Sequence, residues 1–391
     1  MILYNPHVDD FLAEPPHFRF LKRRPLKKYG FLIQNILERG EQIPIVVDGT
    51  ISAFIPEVIF SRIPRFVRQF ISNWEFKIWI TVNDLANNVS LIPADALSSR
   101  DVLLAFSYKS ATGKFGLRKP IFDKCGHVVF HLSHYFIATK EKSKNLSSLT
   151  NVILAGDSDI SENPYFKNTF NWYHKPFLVL PFAVSMRFNV NTSWEDREPK
   201  AVATGSFHNL TKEIPRRKYE DFMRATGSDT YHPLRKQIYL SRHNLQYIKC
   251  HVSPYRPESE QSVISKIVAH FSVAQKSYFS VDLVTLYNKY RYAVVGEELS
   301  GFPALGAFEA LACGCVLIGD SACYAGTGIE PDEHYIPHSG DIESIRVAVE
   351  SAKRPDPVSV QVALRKMTPN AVFLRWVTTL EKSYLDDLRC V

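Results

Sequence analysis

The chain's 391 residues suffice for two domains at roughly 100–200 residues each, and its 45% apolar and 22% charged content is that of an ordinary globular protein. Its longest apolar run, residues 177–186, falls far short of the roughly 20 residues that a membrane-spanning helix needs, and no signal peptide opens the chain. A cytoplasmic protein is expected, soluble or at most peripheral on the inner face of the cytoplasmic membrane.

The net charge of +7 is unevenly placed. Arg19, Lys22, Arg23, Arg24, Lys27 and Lys28 crowd one stretch, and Arg216, Arg217 and Lys218 form a second cluster. Both read either as solvated faces or as surfaces for an anionic membrane or acceptor, where a polybasic segment gains roughly 1 kcal/mol per charge. No recognition helix, RNP-like motif or zinc knuckle accompanies them, so nucleic acid is not an expected partner. Cys125, Cys250, Cys313, Cys315, Cys323 and Cys390 lack both a disulfide-framework spacing and a zinc-ligand spacing, and are read as reduced thiols.

In chain order, residues 2–4 predict a first strand, ending in Asn5, His7, Asp9 and Asp10. A helix over 32–37, a strand over 43–47, a helix over 56–72 and strands over 76–82, 102–106, 128–132 and 152–155 follow. This alternation predicts a parallel sheet covered on both faces. The last strand runs into Asp157 and Asp159, at a strand's C-terminal end, where open α/β sheets bind ligands. Both are candidates for a general base or for acceptor contacts, and equally for turn-stabilising roles. Asn5 and His7 occupy the same end of the first strand. A polar, Asn- and Pro-rich stretch over 189–200 marks the expected domain boundary. A second set of elements begins with a strand over 201–204, ending in Gly205 and Ser206. Further helices are expected over 234–248, 342–353 and 371–385.

Two segments carry chemistry. Residues 291–320 read as strand, polar loop, helix and strand: a β-branched run, a loop holding Glu297, Glu298, Ser300 and Gly301, then Phe302, Leu305, Phe308 and Leu311 at helical spacing. Pro303 suits the first helical position and Gly314 the end. A loop feeding a helix N-terminus between parallel strands is an anion and nucleotide site. The second segment, residues 227–235, packs Asp229, His232 and Arg235 into seven residues, where an Asp could be nucleophile or base beside an acid or phosphate ligand. An equally weighted alternative has Asp229 or Ser228 capping the next helix.

The 291–320 stretch resembles the nucleotide-sugar site of the two-Rossmann-domain (GT-B) glycosyltransferases, in the run Glu309-Ala310-Leu311-Ala312-Cys313-Gly314-Cys315-Val316-Leu317-Ile318. The resemblance implies an α/β chain of two Rossmann-like domains facing across a cleft: residues 1–190 on the acceptor side, 191–370 on the donor side, and a helix over 371–391 returning to the first. It also implies that Glu309 accepts hydrogen bonds from the donor ribose, and that Gly205 and Ser206 approach the donor phosphates. Arg235, Glu297, Ser300, Gly301 and Phe302 complete the expected donor site. Many such enzymes carry a second Glu eight residues before the first, where this chain has Gly301. His232-Pro233 resembles the motif with which bacterial CMP-sialic-acid transferases hold the nucleotide. The ensemble is similar to the retaining β-Kdo transferase domains of bacterial O-antigen and lipopolysaccharide synthesis, which implies a CMP-Kdo donor and an Asp229 sugar adduct. Partners implied are a nucleotide sugar and a glycan or lipid-linked glycan acceptor, with neither a metal nor another cofactor. An NDP-sugar transferase of fucosyl or exostosin type, or an inactive sugar- or membrane-binding subunit, remains the alternative.

Overall fold

The computed structural model describes residues 1–8, 12–13, 28–49, 51–55, 57–106, 119–133, 135–136, 139–210, 219–254, 281–351 and 353–389. The chain divides into two units. The first comprises Met1–Asp157, Lys167–Ala183 and Pro369–Val391, and the second Ser158–Phe166 and Val184–Thr368. Asp9, Asp10, Cys390, all but Lys28 of the first basic stretch, and the Arg216–Lys218 cluster lie outside the described residues.

In the first unit, β1 (Ile2–Tyr4), β2 (Ile43–Val46), β3 (Val89–Leu91), β4 (Val102–Phe106), β5 (His127–His131), β6 (Val152–Gly156) and β7 (Leu178–Val179) form one parallel sheet. Their order is β3-β2-β1-β4-β5-β6-β7, a doubly wound sheet that reverses direction between β1 and β4. The strands β5 and β6 are buried at every position, as expected of strands covered on both faces.

One expected strand is a helix. Residues 76–82 belong to the helix Arg65–Val82, which buries Ser72, Glu75, Phe76 and Trp79. The 3, 4 and 7 residue spacing of those buried positions is helical, and it outweighs the strand preference of the aromatic and β-branched residues there. The strand itself comes later, as β3.

The helix Pro369–Arg389 closes the first unit. Its Trp376 is fully buried, donates its indole N–H to the Pro181 carbonyl at 2.8 Å, and stacks on His131 with ring centroids 5.5 Å apart. Tyr29, Phe31 and Phe106 complete the aromatic cluster.

In the second unit, β8 (Glu198–Phe207), β9 (Ile248–Pro254), β10 (Tyr290–Val294), β11 (Val316–Gly319) and β12 (Ile336–Pro337) are again all parallel, in the order β12-β11-β10-β8-β9. The strand β8 extends beyond its expected end because it pairs with β9 as far as Phe207, so Gly205 and Ser206 lie in its last turns of pleat. The expected helix over 234–248 ends earlier, as Pro233–Ser241, and the strand β9, which the sequence reading did not single out, begins at Ile248. From β8 the described chain goes to β9 on one side and β10 on the other. The sheet's switch point is therefore between the C-terminal ends of β8 and β10. Among the described residues no helix is long and apolar enough to cross a membrane.

Replacing Trp376 with Ala removes a buried indole and its hydrogen bond. Large aromatic truncations cost about 3–5 kcal/mol, so urea unfolding of W376A followed by far-UV circular dichroism is expected to show a transition weakened by that order, with W376F clearly milder.

Candidate functional site

The switch point of the second unit is organised by one guanidinium. Arg235, on the first turn of the helix Pro233–Ser241, is buried and reaches across the strand ends. Its Nε donates to the Val295 carbonyl at 2.5 Å, just past β10, and its Nη1 to the Ser206 carbonyl at 2.8 Å, near the end of β8. Two glycines admit it. Gly205 has φ +112°, and a Cβ there would lie 2.7 Å from the guanidinium carbon; Gly296 has φ +59°, and a Cβ there would lie 2.7 Å from Arg235 Cγ. Both positions demand glycine twice over, for backbone and for space.

His232 precedes the helix as its N-cap residue without a side-chain capping bond, and Pro233 takes the first helical position. Neither Asp229 nor Ser228 caps this helix. Ser228 Oγ instead donates to the Thr230 carbonyl at 2.8 Å, and Asp229 pairs with Lys236 at 2.5 Å while staying partly exposed. Burial, reinforced by the Arg235 charge, pushes the His232 imidazole down to about 4, so it is neutral at physiological pH. Its Nε2 lies 3.7 Å from Glu298, and its buried Nδ1 has no hydrogen-bond partner among the described residues.

The loop after β10 is pinned from several sides. Leu299 N–H donates to the Tyr231 carbonyl at 2.9 Å, Ser158 Oγ to the Gly301 carbonyl at 3.1 Å, and Ser300 Oγ to Glu298 at 2.9 Å. Gly301 has φ +90°, and a Cβ there would come within 2.8 Å of Asn163 Nδ2. A side chain at this position would need a left-handed backbone and displacement of the Asn163 amide. Phe302 is buried in the loop. The helix begins at Leu305, not at Pro303: Ala304 is the extended N-cap residue and offers no side-chain acceptor to the first-turn amides. At the other end, Gly314 with φ +81° terminates it, and Cys315 N–H bonds back to the Ala310 carbonyl at 3.0 Å.

Two buried acids of this region have opposite fates. Glu297 receives a short hydrogen bond from the Tyr324 hydroxyl and faces His338 Nε2 at 3.5 Å. These partners outweigh burial, holding its carboxyl below the usual range and the His338 imidazole above its own. Tyr324 follows β11 and His338 follows β12, so Glu297 ties the loop to the ends of two neighbouring strands. Neither partner was singled out from the sequence, although each sits just past a strand end. Glu309, within the helix Leu305–Ala312, is also buried but has no side-chain hydrogen bond among the described residues. Burial pushes its carboxyl up to about 7. Its helix packs tightly: a Cβ on Gly306 would meet the Tyr287 hydroxyl at 2.9 Å, and that hydroxyl pairs with Thr204 of β8 at 2.9 Å.

The remaining candidates lie elsewhere. Asn5, at φ +44°, accepts from the Asp48 N–H at 2.9 Å, and buried His7 packs edge-on against Phe76. Asp157 is buried, with one oxygen 2.6 Å from Lys28 Nζ and the other accepting from Tyr29 at 3.0 Å. One member of the first basic stretch is thus an internal ion-pair partner. Asp159, in the second unit, accepts from Ser161 N–H at 2.9 Å in a local turn. The described cysteines are free thiols.

No protein-family model matches the chain, and no curated protein sequence matches it. Among solved structures, sucrose-phosphate synthase from Thermosynechococcus elongatus aligns over 98% of this chain and 99% of its own, at 12% identity and a TM-score of 0.51. HepE from Anabaena, solved in complex with UDP, aligns over 97% and 99%, at 10% identity and a TM-score of 0.46. With two parallel sheets of Rossmann type, the chain has the GT-B glycosyltransferase fold.

The Glu297–His338 pair has a defined pH signature. The raised His338 contributes stability that is full below its ordinary value near 6.5 and is lost as pH rises through its folded value. The depressed Glu297 contributes stability present above its ordinary 4.5 and lost as pH falls through its folded value. Urea titrations of H338Q against the parent are expected to show a deficit of about 3 kcal/mol near pH 5.5, as for a broken buried pair, shrinking at pH 9.

Proposed function

We propose that the chain is a glycosyltransferase whose nucleotide-sugar donor binds at the β8/β10 switch point of the second unit. The observation that carries this reading is Glu309: a largely buried carboxyl with no hydrogen-bond partner among the described residues, on the helix that follows the pinned loop of a GT-B unit. Charging a largely desolvated carboxyl is costly, and a ligand with two hydroxyl donors, such as a ribose, offsets the cost. A carboxylate accepts both at once. The Gly205–Ser206 backbone and the uncapped first turn of the helix Leu305–Ala312 supply amides toward the phosphates. Arg235 holds both strand ends in place.

For the finer identity, the favoured donor is CMP-Kdo, transferred with retention. The support is the arrangement on one segment of a partly exposed carboxylate, a neutral histidine with an open buried nitrogen, and the switch-point arginine. Asp229 attacks the anomeric carbon, the bond to the CMP phosphate breaks, and CMP leaves with the electron pair. The acceptor hydroxyl then attacks the same carbon, the bond to Asp229 breaks with the electron pair returning to its carboxylate, and the hydroxyl proton passes to water, the two-step logic of covalent glycoside hydrolysis. In this reading His232 Nδ1 bonds the donor. Asp157, with both oxygens engaged by Lys28 and Tyr29, acts by holding its strand end.

Thermal-shift measurements with CMP, CDP, UDP and GDP test the donor, since a ligand bound by the native state alone raises the melting temperature. CMP is expected to give the largest shift. A larger shift with UDP or GDP would replace CMP-Kdo by an NDP-sugar, and no shift with any nucleotide would sink the transferase reading. Incubation with CMP-Kdo followed by intact-protein mass spectrometry is expected to show an adduct that D229A lacks.

Glu309 makes a separate prediction. Because its folded value near 7 exceeds its ordinary 4.5, the folded state holds the extra proton, and stability falls as pH rises through that window. E309Q removes this loss, and is expected to exceed the parent by up to about 3 kcal/mol at pH 8 while matching it near pH 4.5. The same substitution is expected to weaken nucleotide binding by about 2 kcal/mol, roughly 30-fold, from the lost charged hydrogen bonds. Urea unfolding and calorimetric titration read the two effects.

A further inference from the structure

The second unit has another concavity, at the opposite edge of its sheet. A cavity of about 420 Å³ opens where β8, β11 and β12 begin, lined by residues that precede or start those strands and by the first turn of the helix Pro357–Arg365. Because the strands are parallel, this edge lies away from Arg235 and the switch point. The volume is within the roughly 300–1,000 Å³ range of small-molecule sites. Val190, Leu311, Val316 and Val360 give it apolar walls.

Two guanidiniums line it. Arg197 is 3% exposed; its Nε and Nη2 donate to the Thr192, Cys313 and Asn288 oxygens at 2.8–3.2 Å, while its buried Nη1 has no hydrogen-bond acceptor among the described residues. Arg354 is exposed and lies over the Trp194 ring, 3.9 Å from the centroid, with no hydrogen bond or ion pair among the described residues. A third, Arg291, sits 5.5 Å from the same ring and donates to the Trp194 and Glu195 carbonyls. None of the three has a described carboxylate within ion-pair distance. Glu195 attracts Arg354 from beyond that distance, and Glu333 is engaged by His334 at 3.6 Å and Ser359 at 2.9 Å. Cations gathered on an indole at the mouth of an apolar cavity suit a ligand with a flat apolar body and one anionic head.

We propose that this cavity binds a small aromatic monoanion, its ring body against the apolar walls and Trp194 and its carboxylate or sulfonate on Arg354. The site is separate from the donor site and holds whether or not the transferase reading does. Its chemistry is that of an aromatic acid, with the aryl group buried and the head at the rim.

The test uses the purified full chain and 8-anilinonaphthalene-1-sulfonate, with N-phenyl-1-naphthylamine as the same ring system without the anion. Fluorescence titration is expected to give saturable one-to-one binding of the sulfonate and at least tenfold weaker binding of the neutral amine. R354Q changes an exposed side chain, so folding is retained, and it is expected to weaken the sulfonate at least tenfold and leave the amine unchanged. Q361W, at the cavity lining, is expected to weaken both. Equal affinity for the two probes, sulfonate binding indifferent to R354Q, or no saturable binding would each overturn the proposal.

Discussion

Everything at the switch point of the second unit depends on where Arg235 puts its charge. A buried guanidinium needs oxygen acceptors with good geometry, and here the backbone supplies them from two strands that neighbour each other in the sheet but lie far apart in the chain. The bridge fixes the separation of the β8 and β10 ends, and it forbids side chains at Gly205 and Gly296. The same charge adds to the burial that keeps His232 neutral. One residue thereby sets backbone geometry, local space and protonation at the place where an open α/β sheet takes its ligand.

The acids around it show how burial alone does not decide a carboxyl's state. Glu297 and Glu309 are both buried, but Glu297 has a tyrosine and a histidine turned toward it and Glu309 has neither. Partners pull the first down; desolvation pushes the second up. The first has the character of a structural tie across three strand ends, and the second that of an incomplete hydrogen-bonding site. The missing glutamate at position 301 belongs to the same economy of space, since Asn163 and Ile160 fill the volume its side chain would need.

Much of the fold was legible because burial on both faces writes continuous apolar runs: residues 102–106, 128–132 and 152–155 read as strands and are strands. The glycine at 314 read as a helix end because a left-handed residue there is common, and it is one. Reading was poorest where two preferences compete. Residues 76–82 combine β-branched and aromatic types with helical spacing, and packing of Phe76 and Trp79 on one face settles the matter as helix. The partly exposed strand β9 alternates too weakly to stand out as a strand, and the expected helix ran to its first residue, past the observed end at Ser241. Pro303 suited the first helical position, but the extended Ala304 delays the helix past it.

The amino-acid order by itself determined the alternation of strands and helices, the two α/β units it implies, and the concentration of glycines and polar groups at strand ends. Those follow from local periodicity and backbone preference, which neighbouring residues carry. Only the tertiary structure decided that Arg235 bridges Ser206 and Val295, that Tyr324 and His338 occupy Glu297, and that Lys28 belongs to Asp157. Each is a pairing between residues tens of positions apart. Such pairings depend on strand order and on which side chain first fills a shared space, and nothing local in the chain encodes either.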